Sequence, residues 1–157
     1  MNDQFEIDAS APRVSIVVPV KNEAGNIAPL VAEIEHACAS LAPFEVIYVD
    51  DGSSDGTGAE LARLASERPW LRRLRRERSA GQSAAVRAGV RAARAPIIVT
   101  IDGDGQNDPA FIPQLVAALE KGGPRVGLAA GQRLGRKDTG FKRLQSRIAN
   151  KVRSAVL

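Results

Sequence analysis

Two acidic segments dominate the chemistry written into this sequence. Asp102 and Asp104 stand at i and i+2 in DGDGQ, directly after the apolar run at 97–101. Two carboxylates so spaced beyond a strand can both reach one ion. Hard oxygen ligands suit Mg²⁺ or Mn²⁺, which leave positions open for substrate phosphates. Gly103 and Gly105 let a ligand approach the backbone at this point. Asp and Gly are equally the residues of a solvated turn, and this segment alone does not separate the two. The second segment is DDGSSDGT, residues 50–57. Adjacent carboxylates repel, so a fold that keeps Asp50 and Asp51 at a strand end needs a reason. A nucleobase N–H, a ribose hydroxyl or a metal would each supply one. Ser53, Ser54 and Asp55 suit a structural role, with Asp55 capping the next helix and Thr57 helping. Two further segments are weaker alone. PVKNE, residues 19–23, fits a turn and a helix start. AGQSAA, residues 80–85, opens a helix whose N–H groups can face an anion, or serves as tight small-residue packing.

The elements that must position these groups follow from hydrophobic spacing. Residues 14–18 (VSIVV), 45–49 (EVIYV) and 97–101 (IIVTI) are short continuous apolar runs, which read as buried strands. Residues 70–75 suit a more exposed strand, and 126–131 suit one more. Helical spacing marks 26–40, with Asn26 as N-cap, then 56–67, 82–94, and a helix from Pro109 to about Lys121 that Gly122-Gly123-Pro124 ends. Alternating strands and helices predict an α/β fold: a parallel sheet covered on both faces. Ligands of such sheets bind beyond the carboxyl ends of the strands. Three of the polar segments directly follow predicted strands, so they are expected to meet on one edge.

Length and composition narrow the classes. The 157 residues, 44% hydrophobic and 25% charged, suit one globular domain rather than a disordered or fibrous chain. No run of 18 apolar residues is present, and the acidic start MNDQFEIDAS is no secretory signal. One cysteine, Cys38, excludes an internal disulfide and a multi-cysteine zinc site, and a cytosolic setting fits best. His36, Cys38 and Trp70 read as surface or packing residues.

The net charge of +4 is unevenly spread. Residues 1–124 carry 13 Lys/Arg against 17 Asp/Glu, and residues 125–157 carry nine Lys/Arg against Asp138 alone. A basic tail suggests an anionic partner. Within it, Phe141, Leu144, Ile148, Val152 and Val156 share one face of a helix over 140–157, with Lys142, Arg143, Arg147, Lys151 and Arg153 on the rest. That design suits a membrane interface, and equally a helix docked on a core with a solvated basic face. The arginines between 72 and 78 read as a solvated strand and loop, with a membrane or partner patch as the lesser reading. Nucleic acid is disfavoured, because four Phe, one Tyr and one Trp offer little base stacking. A dinucleotide-dependent dehydrogenase is disfavoured too. The first strand runs into PVKNEAGN and not a G-x-G-x-x-G turn.

Taken together and in order, PVKNE, DDGSSDGT, GQSAAVRAG and DGDGQNDP resemble the nucleotide-sugar glycosyltransferases of family 2, with the GT-A fold. The resemblance spans roughly residues 12–157. Gly131-Gln132-Arg133, Arg136-Lys137-Asp138, Lys142-Arg143 and residues 146–150 draw it towards the polyprenyl- and dolichyl-phosphate sugar transferases. The resemblance implies a GT-A domain over 12–157, shorter than its relatives, behind a flexible segment at 1–11. It implies that Pro19, Lys21, Glu23, Asp50, Asp51, Gln82 and Gly103 serve the nucleotide, with Asp51 on the base. By the same likeness Asp102, Asp104 and Gln106 serve the metal and diphosphate, and Arg133 and Arg147 hold an acceptor phosphate. Lys21 stands where the family commonly has an aromatic residue. Gly103 and Gly105 replace the usual alanine and leucine.

The activity implied is metal-dependent, inverting transfer of a sugar from a GDP- or UDP-sugar to a polyprenyl phosphate. Such an enzyme works at the cytoplasmic face of the membrane, peripherally or anchored by segments outside this chain, in building envelope glycans. A lipid phosphate is largely anionic near neutrality and needs no general base, only positive charge to position it. Nine Lys/Arg against one carboxylate in the tail favour that acceptor. A saccharide hydroxyl acceptor, or a nucleotide-binding module without activity, also fits the donor motifs.

Overall fold

In the computed structural model, which describes residues 11–131, the apolar runs become four parallel strands. These are β1 (Val14–Val20), β2 (Phe44–Asp50), β3 (Leu71–Arg75) and β4 (Ile97–Thr100), ordered β3-β2-β1-β4. The central strand β1 pairs from Val14↔Phe44 to Val20↔Asp50 on one side and from Val14↔Ile97 to Val17↔Thr100 on the other. All seven residues of β1 are buried, which is why its run is apolar without alternation. Four helices complete the order: α1 (Ala24–Cys38), α2 (Thr57–Glu67), α3 (Gln82–Ala92) and α4 (Ile112–Lys121).

Both faces of the sheet are covered. Val14, Ile16, Val18 and Val20 of β1, with Val46 and Tyr48 of β2, pack against Ile27, Leu30, Val31 and Ile34 of α1 and against Leu61, Leu64, Ile112 and Val116. Val17, Ile47 and Val49 point the other way, onto Ala85 of α3. Each fully buried aliphatic side chain contributes about 1.5–3 kcal/mol of transfer free energy. The close seat of α3 depends on Gly89, where a Cβ would collide with Val17 Cγ1. At the amino end of the sheet, buried Glu45 accepts hydrogen bonds from Ser15 Oγ (2.7 Å), Arg72 Nη1 (2.6 Å) and the Arg94 N–H (2.7 Å). Burial opposes ionisation of Glu45, and these donors with the Arg72 charge outweigh it and lower its pKa. One carboxylate thereby ties β1, β3 and the entry to β4 together.

Four expectations change. The run at 97–101, expected as a buried strand, forms the edge strand β4 with Ile98 and Thr100 exposed, because among the described residues it has a neighbour on one side only. Residues 126–131 form no strand. Val-Gly-Leu-Ala-Ala-Gly is poor in strand formers, and Leu128 is 80% exposed with no face to bury against. The first helix begins at Ala24 and not at Asn26, for a reason given below. A 3-10 turn over Pro109–Phe111, with Asp108 accepting from the Ala110 N–H, precedes α4. The expected helix over 140–157 and the segment 1–10 lie outside the described residues.

Candidate functional site

The chain lays β1, β2 and β3 in one direction, then returns across the sheet to place β4 on the far side of β1. At that reversal the carboxyl ends of β1, β2 and β4 lie side by side, so their following loops face one another. A cleft of about 420 Å³ opens there.

The loops after β1 and β2 are laced together. Asn22, at φ 57°, donates its N–H to Ser53 Oγ (2.9 Å) and accepts from the Ser54 N–H on Oδ1 (2.9 Å). The Glu23 N–H donates to Thr57 Oγ1 (2.9 Å), and the Ala24 N–H to Asp55 Oδ2 (3.2 Å). Asp55 also accepts from the Thr57 N–H (3.0 Å) and Thr57 Oγ (2.6 Å), and these bonds lower its pKa. Asp55 and Thr57 therefore satisfy the first turn of α1 from another part of the chain. That allows α1 to start two residues before its own candidate cap. Ser53, Ser54, Asp55 and Thr57 hold the two loops in place, as their structural reading expects.

Asp50 and Asp51 are both buried, at 1% and 3% exposure. Asp50 Oδ1 accepts from the Ser53 N–H (2.8 Å), and its Oδ2 lies 3.8 Å from Arg75 Nε. Asp51 turns to the other side and clamps the loop before α3. Its Oδ2 accepts from Ser79 Oγ (2.7 Å) and the Gly81 N–H (2.8 Å); the Ala80 N–H is shared between both oxygens at 3.1 Å. Arg76 Nε stands 3.4 Å from Oδ1. Burial opposes ionisation of Asp51, and this set of donors outweighs it, holding its pKa below the usual carboxylate range.

The loop after β4 is built differently. Asp102 and Asp104 are exposed. Asp102 Oδ1 accepts from Gln82 Nε2 (2.6 Å) at the start of α3, and Oδ2 from Asn107 Nδ2 (3.2 Å). Two amides thus fix the orientation of one carboxylate. Asp104 Oδ1 accepts only the Gln106 N–H of its own turn (3.0 Å). The loop crosses the end of β1 at Gly103, where a Cβ would collide with Val20 Cγ1 and come within 2.9 Å of the Pro19 carbonyl oxygen. Here an alanine does not fit without movement of Val20.

Eight of the expected residues line the cleft: Pro19, Lys21, Glu23, Asp51, Gln82, Asp102, Gly103 and Asp104. Asp50 lies behind the wall. Gln106 is exposed, outside the lining, and contributes its backbone N–H to the turn. Arg133 and Arg147 lie outside the described residues. Ser79 and Asn107 were not singled out by the sequence, and the arginine run between 72 and 78 was expected to be solvated, whereas Arg72, Arg75 and Arg76 pair with buried Glu45, Asp50 and Asp51. Each acts across 5 to 28 positions of chain, with no periodic signal to reveal it.

The lining holds Glu23, Asp51, Asp102 and Asp104 against Lys21 alone. Such a surface repels a diphosphate unless a cation intervenes. Among the described residues no three His, Cys, Asp or Glu side chains gather as a self-sufficient metal cage. A pair of exposed carboxylates with open positions is the donor set of an ion completed by substrate phosphates and water. Asp102 and Asp104 fit that group.

The comparisons with known proteins agree with this geometry. The family model "Glycosyl transferase family 2" matches residues 15–155. The chain is 39% identical over 140 residues to undecaprenyl-phosphate 4-deoxy-4-formamido-L-arabinose transferase of Edwardsiella ictaluri, covering 87% of this chain and 42% of that protein. It is 41% identical over 132 residues to dodecaprenyl-phosphate galacturonate synthase of Rhizobium johnstonii, covering 83% and 38%. Among solved structures, it resembles the mannosyltransferase PcManGT from Pyrobaculum calidifontis in complex with GDP-Man and Mn²⁺. That likeness has a TM-score of 0.55 and 31% identity over 60% of this chain and 28% of that one. The chain thus spans about two fifths of the length of the curated relatives it matches. The four parallel strands with their flanking helices have the GT-A architecture, and the chain belongs to glycosyl transferase family 2.

Proposed function

We propose that this chain carries the donor site of a transferase that moves a sugar from a nucleotide-sugar to a polyprenyl phosphate. One observation carries the reading. Residues from all four motif segments line a single cleft, with two exposed carboxylates free to share an ion. The two polyprenyl-phosphate relatives support the acceptor class.

In this reading the nucleotide occupies the wall made by Pro19, Lys21, Glu23, Asp51 and Gln82. Asp51 shapes that wall by holding the Ser79–Gly81 backbone. Asp102, oriented by Gln82 and Asn107, would hold Mg²⁺ or Mn²⁺ together with Asp104. When bound, the divalent cation neutralises charge that builds on the departing nucleoside diphosphate. The acceptor phosphate, with a second pKa of about 6, attacks as an anion and requires no carboxylate base. Arg133 and Arg147 would position it through bidentate hydrogen bonds. In-line attack at the anomeric carbon inverts its configuration. Among the described residues no helix is long and apolar enough to cross a membrane. A lipid acceptor places the reaction at the cytoplasmic membrane surface.

The test is incubation of the protein with labelled GDP- and UDP-sugars, polyprenyl phosphate and Mg²⁺ or Mn²⁺. Label is expected to pass into the organic phase with one donor. Absence of label there with every donor, from a folded protein, removes the lipid-acceptor reading.

A further inference from the structure

We propose that the outer face of α3 is a basic docking surface that rests on an acidic lipid bilayer. Beside the nucleotide cleft, on the other side of the loop that Asp51 clamps, a second groove of about 590 Å³ runs along α3. Arg76, Arg87 and Arg91 line it with Ser83 and three alanines, and no carboxylate is among the lining residues. Arg87 and Arg91 are exposed and one helical turn apart, so their guanidinium groups face the same way.

Comparison with α2 shows the difference between the two helices. In α2, Arg63 is bracketed by Glu60 (2.6 Å) and Glu67 (2.9 Å), so its charge is matched along the helix. Arg13, Arg68 and Arg72 are likewise paired with glutamates. The sequence of α3, QSAAVRAGVRA, holds no acid at all. Among the described residues neither Arg87 nor Arg91 has a hydrogen-bond or ion-pair partner. An α-helix that leaves its solvent-facing arginines unmatched is complementary to an anionic surface outside the molecule.

The shape of the groove narrows the partner. Ala80, Ala84 and Ala88 are short, so a broad surface can approach the guanidinium groups without obstruction. No aromatic side chain lines the groove to stack a nucleobase, which disfavours a single nucleic-acid strand. Phospholipid headgroups present phosphates in a plane, and guanidinium groups bind them bidentately. The choice of a bilayer rests on the lipid-acceptor reading above, since a lipid acceptor requires the donor site to work against a membrane.

The test is co-sedimentation of the full 157-residue chain with phosphatidylcholine vesicles, with and without about a third phosphatidylglycerol. The chain is expected to bind the acidic vesicles and not the neutral ones, and to release as salt rises. Each arginine near an anionic leaflet adds about fivefold to partitioning, so Arg87→Gln with Arg91→Gln is expected to weaken it about 25-fold. Arg63→Gln, on the opposite face, is expected to change it little. Equal partitioning of the double variant and the parent overturns the proposal. So does an equal loss in Arg63→Gln, which would make the effect one of net charge. Arginine-dependent binding of a random oligonucleotide without vesicle binding overturns it in favour of nucleic acid. Calorimetry of GDP and UDP with Mn²⁺ is expected to be the same for the double variant and the parent. Transfer to polyprenyl phosphate in detergent micelles, which present no acidic leaflet, reads the acceptor chemistry separately. Its failure would count against the proposed function while leaving the vesicle result to stand or fall alone.

Discussion

Asp50-Asp51 and Asp102-Gly103-Asp104 stand at the ends of the two strands that flank β1, β2 buried and β4 a half-exposed edge, and both lie at the carboxyl end of the sheet. As text they offer the same thing, two carboxylates close together. In the structure they have opposite positions. Asp51 is 3% exposed and its two oxygens receive Ser79, Ala80, Gly81 and Arg76. Asp102 and Asp104 are exposed, and their partners are two side-chain amides and one N–H. Asp51 commits its charge to the protein's own loops, while Asp50 Oδ2 is buried without a hydrogen bond among the described residues, 3.8 Å from Arg75 of β3. The second pair keeps lone pairs available to an ion. The free energy of a buried carboxylate comes from its donors, whereas an exposed one contributes little to folding and is free to serve a ligand.

The contrast breaks most readily at Asp51. Asp51→Ala strips the acceptor from three donors of the Ser79–Gly81 loop and leaves Arg76 unmatched, at a cost of about 2–3 kcal/mol. Urea denaturation reads that loss. The second largest effect is expected at Gly103. Gly103→Ala forces the acidic loop off Val20, and overpacking of this kind costs about 1–3 kcal/mol. Donor binding with Mn²⁺ falls along with it, which calorimetry detects. Gln82→Ala sharpens the comparison, because it removes a support of Asp102 without touching stability. Loss of such an outer partner is expected to weaken metal affinity about tenfold, read by titrating Mn²⁺ against bound nucleotide.

The smallest effect concerns pH. The folded-state pKa of Asp51 lies below its unfolded value, so the unfolded chain takes up its proton first as pH falls. The stability that Asp51 contributes is fully present above the unfolded value of about 3.9 and is lost below it. The stability gap between the parent and Asp51→Ala is therefore expected to stay constant from about pH 5 upward and to close below pH 3.9. Denaturation curves at a series of pH values measure it.

Much of the sheet edge was legible in the sequence because strand ends carry their own punctuation. Asp50 and the step from Thr100 to Asp102 mark where apolar runs stop, although β1 continues through Pro19 to Val20, and the parallel topology follows from strand–helix alternation. The placement of Gln82 and Gly103 in the cleft lining accords with the family likeness. What the text hid is long-range. That Ser79 and Arg76 serve Asp51, or that Asp55 and Thr57 start α1, depends on loops from distant strands meeting in space. Hydrophobic period reports which face is buried and says nothing about which polar side chain crosses to which loop. For the same reason an apolar but glycine- and alanine-rich stretch at 126–131 passed for a strand, although nothing among the described residues gives it a partner.

In the proposed function, the acidic loop after β4 binds a nucleoside diphosphate through a shared divalent ion. Calorimetric titration of GDP and UDP into the parent and Asp104→Asn, with and without Mn²⁺, tests it most directly. Asp104 is exposed, so its replacement is expected to leave stability within about 0.5 kcal/mol. One nucleotide is expected to bind the parent only with Mn²⁺, and Asp104→Asn to lose most of that affinity while its denaturation curve is unchanged. Nucleotide binding that is indifferent both to Mn²⁺ and to Asp104→Asn would contradict it.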